Sequence, residues 1–170
     1  MSVPLGDIDQ FVGPAQRGNP AAMDALVRAL TPYVARICGA IALDSGDDAM
    51  QETFIAVLRN IGSLREPAAL RGWVRRIAVR EAVRACRSRE VTTDFTDHDL
   101  PEILPADVAT AVDVRRVLAQ LAPEQRAVLV LRDLDGLSEA QVAELLHLPE
   151  GTVKSRLHRA RASFERRWRP

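Results

Sequence analysis

The chain has 170 residues, of which 47% are hydrophobic and only 4% are aromatic, and this length suits one ordinary domain or two small ones. Its 23 basic and 23 acidic residues give a formal net charge of zero. No stretch approaches roughly 18 consecutive apolar residues, so we expect no membrane insertion, and the acidic N-terminus does not have the pattern of a secretory signal.

The cysteines and histidines form neither a metal-ligand pattern nor a catalytic one. Cys38 and Cys86 lie far apart without a CxxC motif, which predicts reduced thiols in a cytoplasmic protein rather than a zinc site or a disulfide. The three histidines are dispersed, and the sequence has no glycine-rich phosphate loop, no GxSxG and no HExxH. We therefore expect a protein that is not an enzyme and that needs neither a cofactor nor a metal.

The zero net charge conceals a strong segregation of charge along the chain. Residues 61–90 carry a net charge of +5 and residues 151–170 carry +6, whereas residues 91–112 contain five acidic residues and no basic ones. Two basic blocks around an acidic stretch are typical of nucleic-acid-binding surfaces. Lys154 is the single lysine. The arginine bias suits phosphate and base-edge recognition, although a GC-rich genome would favour the same bias.

The segment DDAMQETFIAVLRNI is the first helix with an informative pattern. Met50, Phe54, Val57 and Ile61 recur at helical spacing and predict its buried face. The opposite face carries the candidate partner-binding residues Asp48, Gln51, Glu52 and Ile55, followed by Arg59. An isoleucine within a polar face indicates a protein-binding surface, and an ordinary solvated face is the alternative.

A second helix is predicted over residues 69–88, with Trp73, Val74 and Ile77 directed towards the core. Its other side carries a stripe of arginines, Arg76, Arg80, Arg84 and Arg87, flanked by Arg71 and Arg75. Like charges on one helical row repel each other unless anions or acids lie between them. Binding to a nucleic-acid backbone would relieve that repulsion.

Residues 89–112 interrupt the helical pattern. They contain Pro101, Pro105 and a run of acidic residues, which predicts a flexible, solvated linker. We therefore predict an all-α chain with two small helical domains, residues 1–88 and residues 113–170, joined by an acidic flexible linker at residues 89–112.

The C-terminal half has the pattern of a helix-turn-helix. Pro123 suits the first turn of a helix, and Ser138 with Gln141 forms a capping box at the start of a second, short helix. Residues 147–149 form a tight turn before a last helix at about residues 150–167. Two helices joined by a turn of three to four residues define the motif.

The last helix has the composition of a recognition helix. Its first turns carry Thr152, Lys154, Ser155, Arg156 and Arg159. The N-terminal residues of such a helix face base edges in the major groove, where arginine pairs bidentately with guanine. A solvated cationic face is the alternative, and the capped helix and turn that precede these residues argue against it.

The C-terminal segment, and above all its run EGTVKSRLHRAR, resembles region 4 of the extracytoplasmic-function sigma factors. The resemblance implies that the last helix binds the −35 promoter element as duplex DNA. Two residues depart from the family pattern: His147 stands where glycine is frequent, and Pro149 stands where a serine N-cap is frequent. Both departures concern how the turn is built and not the face that reads DNA.

The N-terminal half resembles region 2 of the same family. Asp48, Gln51, Glu52 and Phe54 match the family's D-x-x-Q-E-x-F pattern, on the helix that in the family docks on the clamp helices of the polymerase β′ subunit. LRGWVRRIAVREAVRACRSR resembles the helix that lines the path of the melted −10 element, and residues 62–70 match the position of the base-capture loop. Arg80 departs from the asparagine that the family usually has.

The resemblance covers nearly the whole chain and implies an alternative sigma factor. Such a protein binds core RNA polymerase through the β and β′ subunits and recognises promoter DNA both as duplex and as melted strand. An anti-sigma factor is a further candidate partner. The alternative prediction is a free-standing helix-turn-helix regulator that binds an operator.

Overall fold

The computed structural model describes the backbone of residues 8–92 and 106–168, and the side chains of residues 8–88 and 113–168. All regular structure within these ranges is helical, which confirms the predicted fold class. The helices are α1 (Val12–Gln16), α2 (Pro20–Ala42), α3 (Gly46–Asn60), α4 (Leu70–Thr92), α5 (Ala106–Ala119), α6 (Pro123–Leu129), α7 (Glu139–Leu146) and α8 (Glu150–Arg167). Helix α6 continues into a π-helical turn at Val130–Leu134, and short 3₁₀ turns lie at Ile8–Phe11, Leu43–Ser45, Ile61–Ser63 and Pro67–Ala69.

Helix α2 is the central element of the N-terminal unit. The side chain of Asn19 caps it by accepting hydrogen bonds from the backbone N–H groups of Ala21 and Ala22, and Pro20 occupies the first helical position. One face of α2, consisting of Leu26, Leu30, Val34 and Ile37, is fully buried against α3 and α4. Full burial of each such side chain contributes about 1.5–3 kcal/mol.

The burial of α2 explains why this part of the chain contains an apolar helical window, although the sequence has no long run of consecutive apolar residues. The helical stretch Pro20–Ser63 contains a window that is long and apolar enough, by length and composition alone, to cross a membrane. The core helix of a soluble protein passes the same test, so this result is weak. Here the apolar face of α2 is covered by the two helices that pack on it.

The buried side of α3 overlaps with the face that its periodicity predicted and extends beyond it to smaller residues. Ala49, Thr53 and Val57 are buried, whereas Met50 and Phe54 are half-buried at the edge of the core. The predicted face is therefore confirmed for Val57 and Ile61, which are buried, whereas Met50 and Phe54 pack against the core and stay partly exposed. Small residues face α2 because the two helix backbones approach closely, and the Thr53 hydroxyl donates a hydrogen bond to the carbonyl of Ala49 at 2.7 Å.

Helices α6, α7 and α8 form the C-terminal unit, in which α8 packs on both others. The predicted capping box of α7 is confirmed: Ser138 Oγ accepts from the N–H of Gln141 at 3.2 Å, and the N–H of Ser138 donates to Gln141 Oε1 at 2.8 Å. Helix α8 also has the predicted bounds. The local signals in the sequence therefore determined where these two helices begin.

The helix ends lie inside the segment that was predicted to be a linker. Helix α4 continues to Thr92 and α5 begins at Ala106, while residues 93–105 lie outside the described residues. The prediction relied on acidic composition and on two prolines. The helical ends of this segment contain no proline. Acidic residues are compatible with a helix, whereas proline inside a helix disrupts it.

The two units contact each other in this structure. Helix α6 packs against α4 and α2, and the π-helical turn after α6 also contacts α2. Nothing in the local sequence patterns predicted this packing, since it joins residues that are far apart in the chain.

Candidate nucleic-acid interface

Helix α8 presents only part of the predicted reading residues to solvent. Lys154, Ser155 and Arg159 are exposed, whereas Thr152 and Arg156 are half-buried. Arg159 donates from Nε to the carbonyl of Ser155 at 3.2 Å, which aligns its side chain along the helix. Lys154 Nζ lies 4.0 Å from the carboxylate of Glu139 on α7. The exposed face therefore has hydrogen-bond donors for the acceptor atoms of base edges and phosphates.

The turn before α8 depends on a residue in the left-handed region. His147 has φ 52° and ψ 46° and ends α7, while the N–H of Leu148 donates to the carbonyl of Ala143 at 2.9 Å. This is a Schellman-type ending, in which glycine is the usual residue. The structure thus explains why glycine is frequent where this chain has His147. Pro149 precedes α8 and provides no side-chain cap.

The arginine stripe on α4 lies largely at the surface. Arg71, Arg76, Arg80, Arg84 and Arg87 are exposed, and Arg75 is half-buried. Glu81 is only 6% exposed and lies between two of them: Arg80 Nη2 is 2.9 Å from Oε1 and Arg84 Nη1 is 3.2 Å from Oε2. This carboxylate offsets part of the repulsion within the stripe. The sequence signal for Glu81 was its position between Arg80 and Arg84, where it is the single acidic residue.

Arg87 of the stripe and the flanking Arg75 contact the C-terminal unit. Arg75 Nε donates to the Tyr33 hydroxyl at 2.7 Å and lies 2.6 Å from Asp135 Oδ2. Burial raises the pKa of Tyr33, and the hydrogen bond from Arg75 opposes this only in part. The phenol therefore stays protonated at neutral pH. Arg87 Nε donates to Glu124 Oε1 at 3.1 Å.

A groove of about 690 Å³ lies between α4 and the parts of the C-terminal unit around α7 and the start of α8. Its apolar wall includes Val79, Val83, Leu145, Leu146 and Leu148. Its charged lining includes Arg76, Arg80, Arg84, Arg87 and Arg156. The structure therefore brings one predicted −35 residue, Arg156, together with four predicted −10 residues.

The predicted partner-binding face of α3 is accessible. Asp48, Gln51 and Glu52 are exposed, and Ile55 is half-buried. Leu58, three residues after Ile55 and thus on the same side of the helix, is 46% exposed. The sequence analysis did not single out Leu58, although its spacing from Ile55 was a sufficient signal. An apolar pair beside three polar residues is suited to a protein partner.

The segment that matches the base-capture loop is anchored at its base. Within residues 62–70 all side chains except Leu64 and Leu70 are exposed. Gln16 of α1 donates from Nε2 to the carbonyl of Ile61 at 2.9 Å and to that of Leu64 at 2.7 Å. The loop therefore starts from a fixed point on the N-terminal unit.

Both cysteines are thiols that form no disulfide, as the sequence predicted, and both are buried. Burial raises the pKa of Cys38 to about 11, so its thiol is protonated and unreactive at neutral pH. Among the side chains that the structure describes, no group of three or more histidine, cysteine or acidic residues could hold a metal ion.

Comparison with known families assigns both units. Residues 26–92 match the family model for sigma-70 region 2, and residues 111–164 match that for sigma-70 region 4. The match to region 2 covers α3 and α4, and the match to region 4 covers the helix-turn-helix.

Comparison with individual proteins gives the same assignment. The chain is 30% identical over 174 residues to the ECF RNA polymerase sigma-E factor of Salmonella typhimurium, covering 91% of both chains. It is 38% identical over 125 residues to the ECF RNA polymerase sigma factor SigM of Mycobacterium tuberculosis. The aligned residues cover 72% of this chain and 64% of SigM. The chain belongs to the extracytoplasmic-function sigma factors of the sigma-70 family.

A solved structure has the same fold. The sigma factor RpoE from Bartonella quintana, in complex with the anti-sigma factor NepR, superposes with a TM-score of 0.62 at 21% identity, covering 80% of this chain and 89% of that one. Family membership favours the sigma-factor prediction over the free-standing regulator.

Proposed function

We propose that this protein is an alternative sigma factor, which binds core RNA polymerase and directs initiation at promoters that carry its −10 and −35 elements. One observation carries the proposal: a region 2 unit with an exposed arginine stripe and a region 4 unit with an exposed recognition helix occur in one chain, in the family order. The protein acts in the cytoplasm. It positions the promoter and the polymerase performs the chemistry, so it is not itself an enzyme.

Helix α8 enters the major groove of the −35 element. Thr152, Lys154, Ser155, Arg156 and Arg159 provide its contacts. Arg159 is the residue that we propose for a bidentate bond to guanine, because its side chain is exposed; its Nε and Nη2, which bond to Ser155 in this structure, exchange that partner for the base. Lys154, a point charge beside the helix start, suits a phosphate.

The arginine stripe of α4 binds the backbone of the melted −10 element. The flanking Arg71 and Arg75 contribute to the same contact as the stripe residues Arg76, Arg80, Arg84 and Arg87. A positively charged row that follows the backbone is the usual way of holding a single strand. The exposed loop at residues 62–70 then accepts an unstacked nucleobase. Gln16 holds the start of this loop in position.

The face of α3 formed by Asp48, Gln51, Glu52 and Ile55 binds core polymerase, and we add Leu58 to it. Exposed carboxylates provide charge complementarity to a basic partner, while Ile55 and Leu58 provide apolar area that a partner would remove from water. The β and β′ subunits are the partners that the family relationship implies.

An anti-sigma factor is a further proposed partner. The groove beside α4 has an apolar wall and an arginine rim, which fits an amphipathic helix with acidic residues. The structural neighbour RpoE was solved with such a partner, NepR, which supports this part of the proposal.

In vitro transcription tests the proposed function. Purified protein, added to core RNA polymerase with fragments of genomic DNA, is expected to produce discrete transcripts that neither component produces alone. A free-standing regulator would instead bind duplex DNA without polymerase and yield no transcript, and that result would overturn the proposal.

A further inference from the structure

One end of the groove between α4 and the C-terminal unit has more positive than negative charge. Glu124 is the one acidic residue among the described residues that line the groove, and it accepts a hydrogen bond from Arg87 at 3.1 Å. Partial burial opposes ionisation of Glu124, but the bond from Arg87 and its own backbone N–H, with the charges of Arg87 and Arg156, lower the pKa of this carboxyl overall. A single carboxylate therefore serves two guanidinium groups at this end.

Arg156 is the guanidinium at this end that lacks an acceptor. It is half-buried, and within the described part of the chain no hydrogen bond or ion pair engages it. The other arginines of the groove differ, since Arg80 and Arg84 pair with Glu81 and Arg76 is exposed to water. A charged group that is partly removed from water without an acceptor loses free energy. An anion that accepts from Arg156 would recover that loss.

The groove beside Arg156 has an aliphatic floor that runs along α4. Val79 and Val83 are four residues apart, so they lie on the same side of the helix. The lining contributed by α4 extends over residues 76–88, a rise of about 18 Å. The opposite wall consists of three leucines at the end of α7 and in the turn after it: Leu145, Leu146 and Leu148. The groove is therefore an apolar trough with a cationic group at one end.

The lining discriminates among classes of anion. None of the described residues that line the groove is Phe, Tyr or Trp, so the large aromatic rings on which nucleobases stack are not offered to a ligand. A free phosphate would leave the aliphatic walls in contact with water. The volume of about 690 Å³ lies within the usual range of small-molecule sites, about 300–1,000 Å³. A molecule with an anionic head and an aliphatic chain matches both parts of the groove.

We propose that the groove binds an anionic amphiphile, a small molecule that has a carboxylate or phosphate head on an aliphatic chain. Arg156 donates to the head, and the trough formed by Val79, Val83 and the three leucines removes the chain from water. The bound molecule would compete with the anti-sigma helix that we propose for the same groove. That consequence rests on the proposed function, whereas the binding itself does not.

The first experiment tests the trough by isothermal titration calorimetry of the full chain with decanoate, hexanoate and acetate, each below its micellar concentration. Decanoate is expected to bind at least tenfold more tightly than hexanoate, because four additional methylene groups leave water. Acetate, which has the head alone, is expected to give no saturable heat. Equal affinities for decanoate and hexanoate would overturn the trough.

The second experiment tests the head site with the variant R156Q. The matched control is R166Q, which removes the same charge from an exposed position of α8 outside the groove lining. Glutamine is a good helix former and keeps much of the side-chain stem, so both variants are expected to fold. We expect R156Q to bind decanoate at least tenfold more weakly than R166Q, which corresponds to about 1.4 kcal/mol. Equal decanoate affinity in the two variants would overturn the role of Arg156.

The third experiment separates a soluble amphiphile from a membrane surface with the same head charge. Vesicles of phosphatidylglycerol are sedimented with wild type and with R156Q. Equal co-sedimentation of the two proteins is expected, because chains that stay in a bilayer cannot enter the groove. Vesicle binding that is lost in R156Q, without decanoate binding by wild type, would overturn the pocket and assign Arg156 to a lipid surface. The three measurements need no polymerase, so their failure is distinguishable from a failure of the sigma-factor proposal.

Discussion

Gly46, the first residue of α3, lies directly against Gly39 of α2. A Cβ atom on Gly46 would stand 3.0 Å from the Cα of Gly39 and 3.3 Å from its backbone nitrogen. Backbone atoms cannot swing away as the tip of a flexible side chain can. The two helices that build the N-terminal unit therefore meet at a point where one of them must have no side chain.

Gly46→Ala is expected to destabilise the protein by about 1–3 kcal/mol, the usual cost of overpacking. Gly39→Ala is the matched control, because a Cβ there meets nothing within 4 Å and alanine is the better helix former. That control is expected to gain about 0.5–1 kcal/mol. Urea denaturation measures both free energies of unfolding, and equal effects of the two changes would contradict the close approach of α2 and α3.

His147→Gly is expected to stabilise the helix-turn-helix by about 1 kcal/mol, because glycine adopts the left-handed region without the steric cost of a side chain. His158→Gly, at an exposed position inside α8, is the opposite control and is expected to lose about 1 kcal/mol. Thermal and urea unfolding report both changes. A loss of stability in His147→Gly would show that the imidazole contributes more than the backbone conformation costs.

Arg159→Ala is expected to cost about 1–3 kcal/mol in discrimination of the −35 element if the guanidinium makes a bidentate base contact. The assay is open-complex formation by the reconstituted polymerase on promoters with and without that element. His158→Ala, an exposed neighbour, controls for the loss of a side chain. An equal loss on both promoters would assign Arg159 to a phosphate instead.

Replacement of Arg76, Arg80 and Arg84 by alanine is expected to reduce the salt dependence of promoter binding by the reconstituted polymerase. Each lost phosphate contact makes the negative slope of log K against log salt shallower by about 0.7–0.9. Arg28→Ala is the control, since Arg28 pairs with Asp24 on the exposed side of α2. A slope that stays at the wild-type value would indicate that the stripe serves a protein surface.

Asp48→Lys with Glu52→Lys is expected to weaken binding to core polymerase by at least tenfold, because charge reversal turns attraction into repulsion at the interface. Both side chains are exposed, so helix content measured by circular dichroism stays at the wild-type level. Asp24→Lys, on the outer face of α2, is the control. Equal retention of variant and parent on immobilised core enzyme would remove α3 from the interface.

Local signals in the sequence determined the elements of the C-terminal unit. The capping box at Ser138 and Gln141 and the bounds of α8 follow from short-range preferences that the neighbouring residues satisfy among themselves. His147 has the left-handed conformation that glycine adopts most easily, and the sequence comparison with the family marked this same position as one where glycine is frequent. Interactions within four residues are encoded locally, which is why they were predictable.

Tertiary packing decided what periodicity could not. In α3 the small residues Ala49 and Thr53 are buried more deeply than the predicted Met50 and Phe54, because the close approach of two helix backbones selects small residues and periodicity measures only hydrophobicity. In the sequence, Arg75 is one of the two arginines that flank the stripe. Its pairing with Asp135, 60 positions away, exists only once both units fold and desolvate the carboxylate, and no local pattern records such a partner.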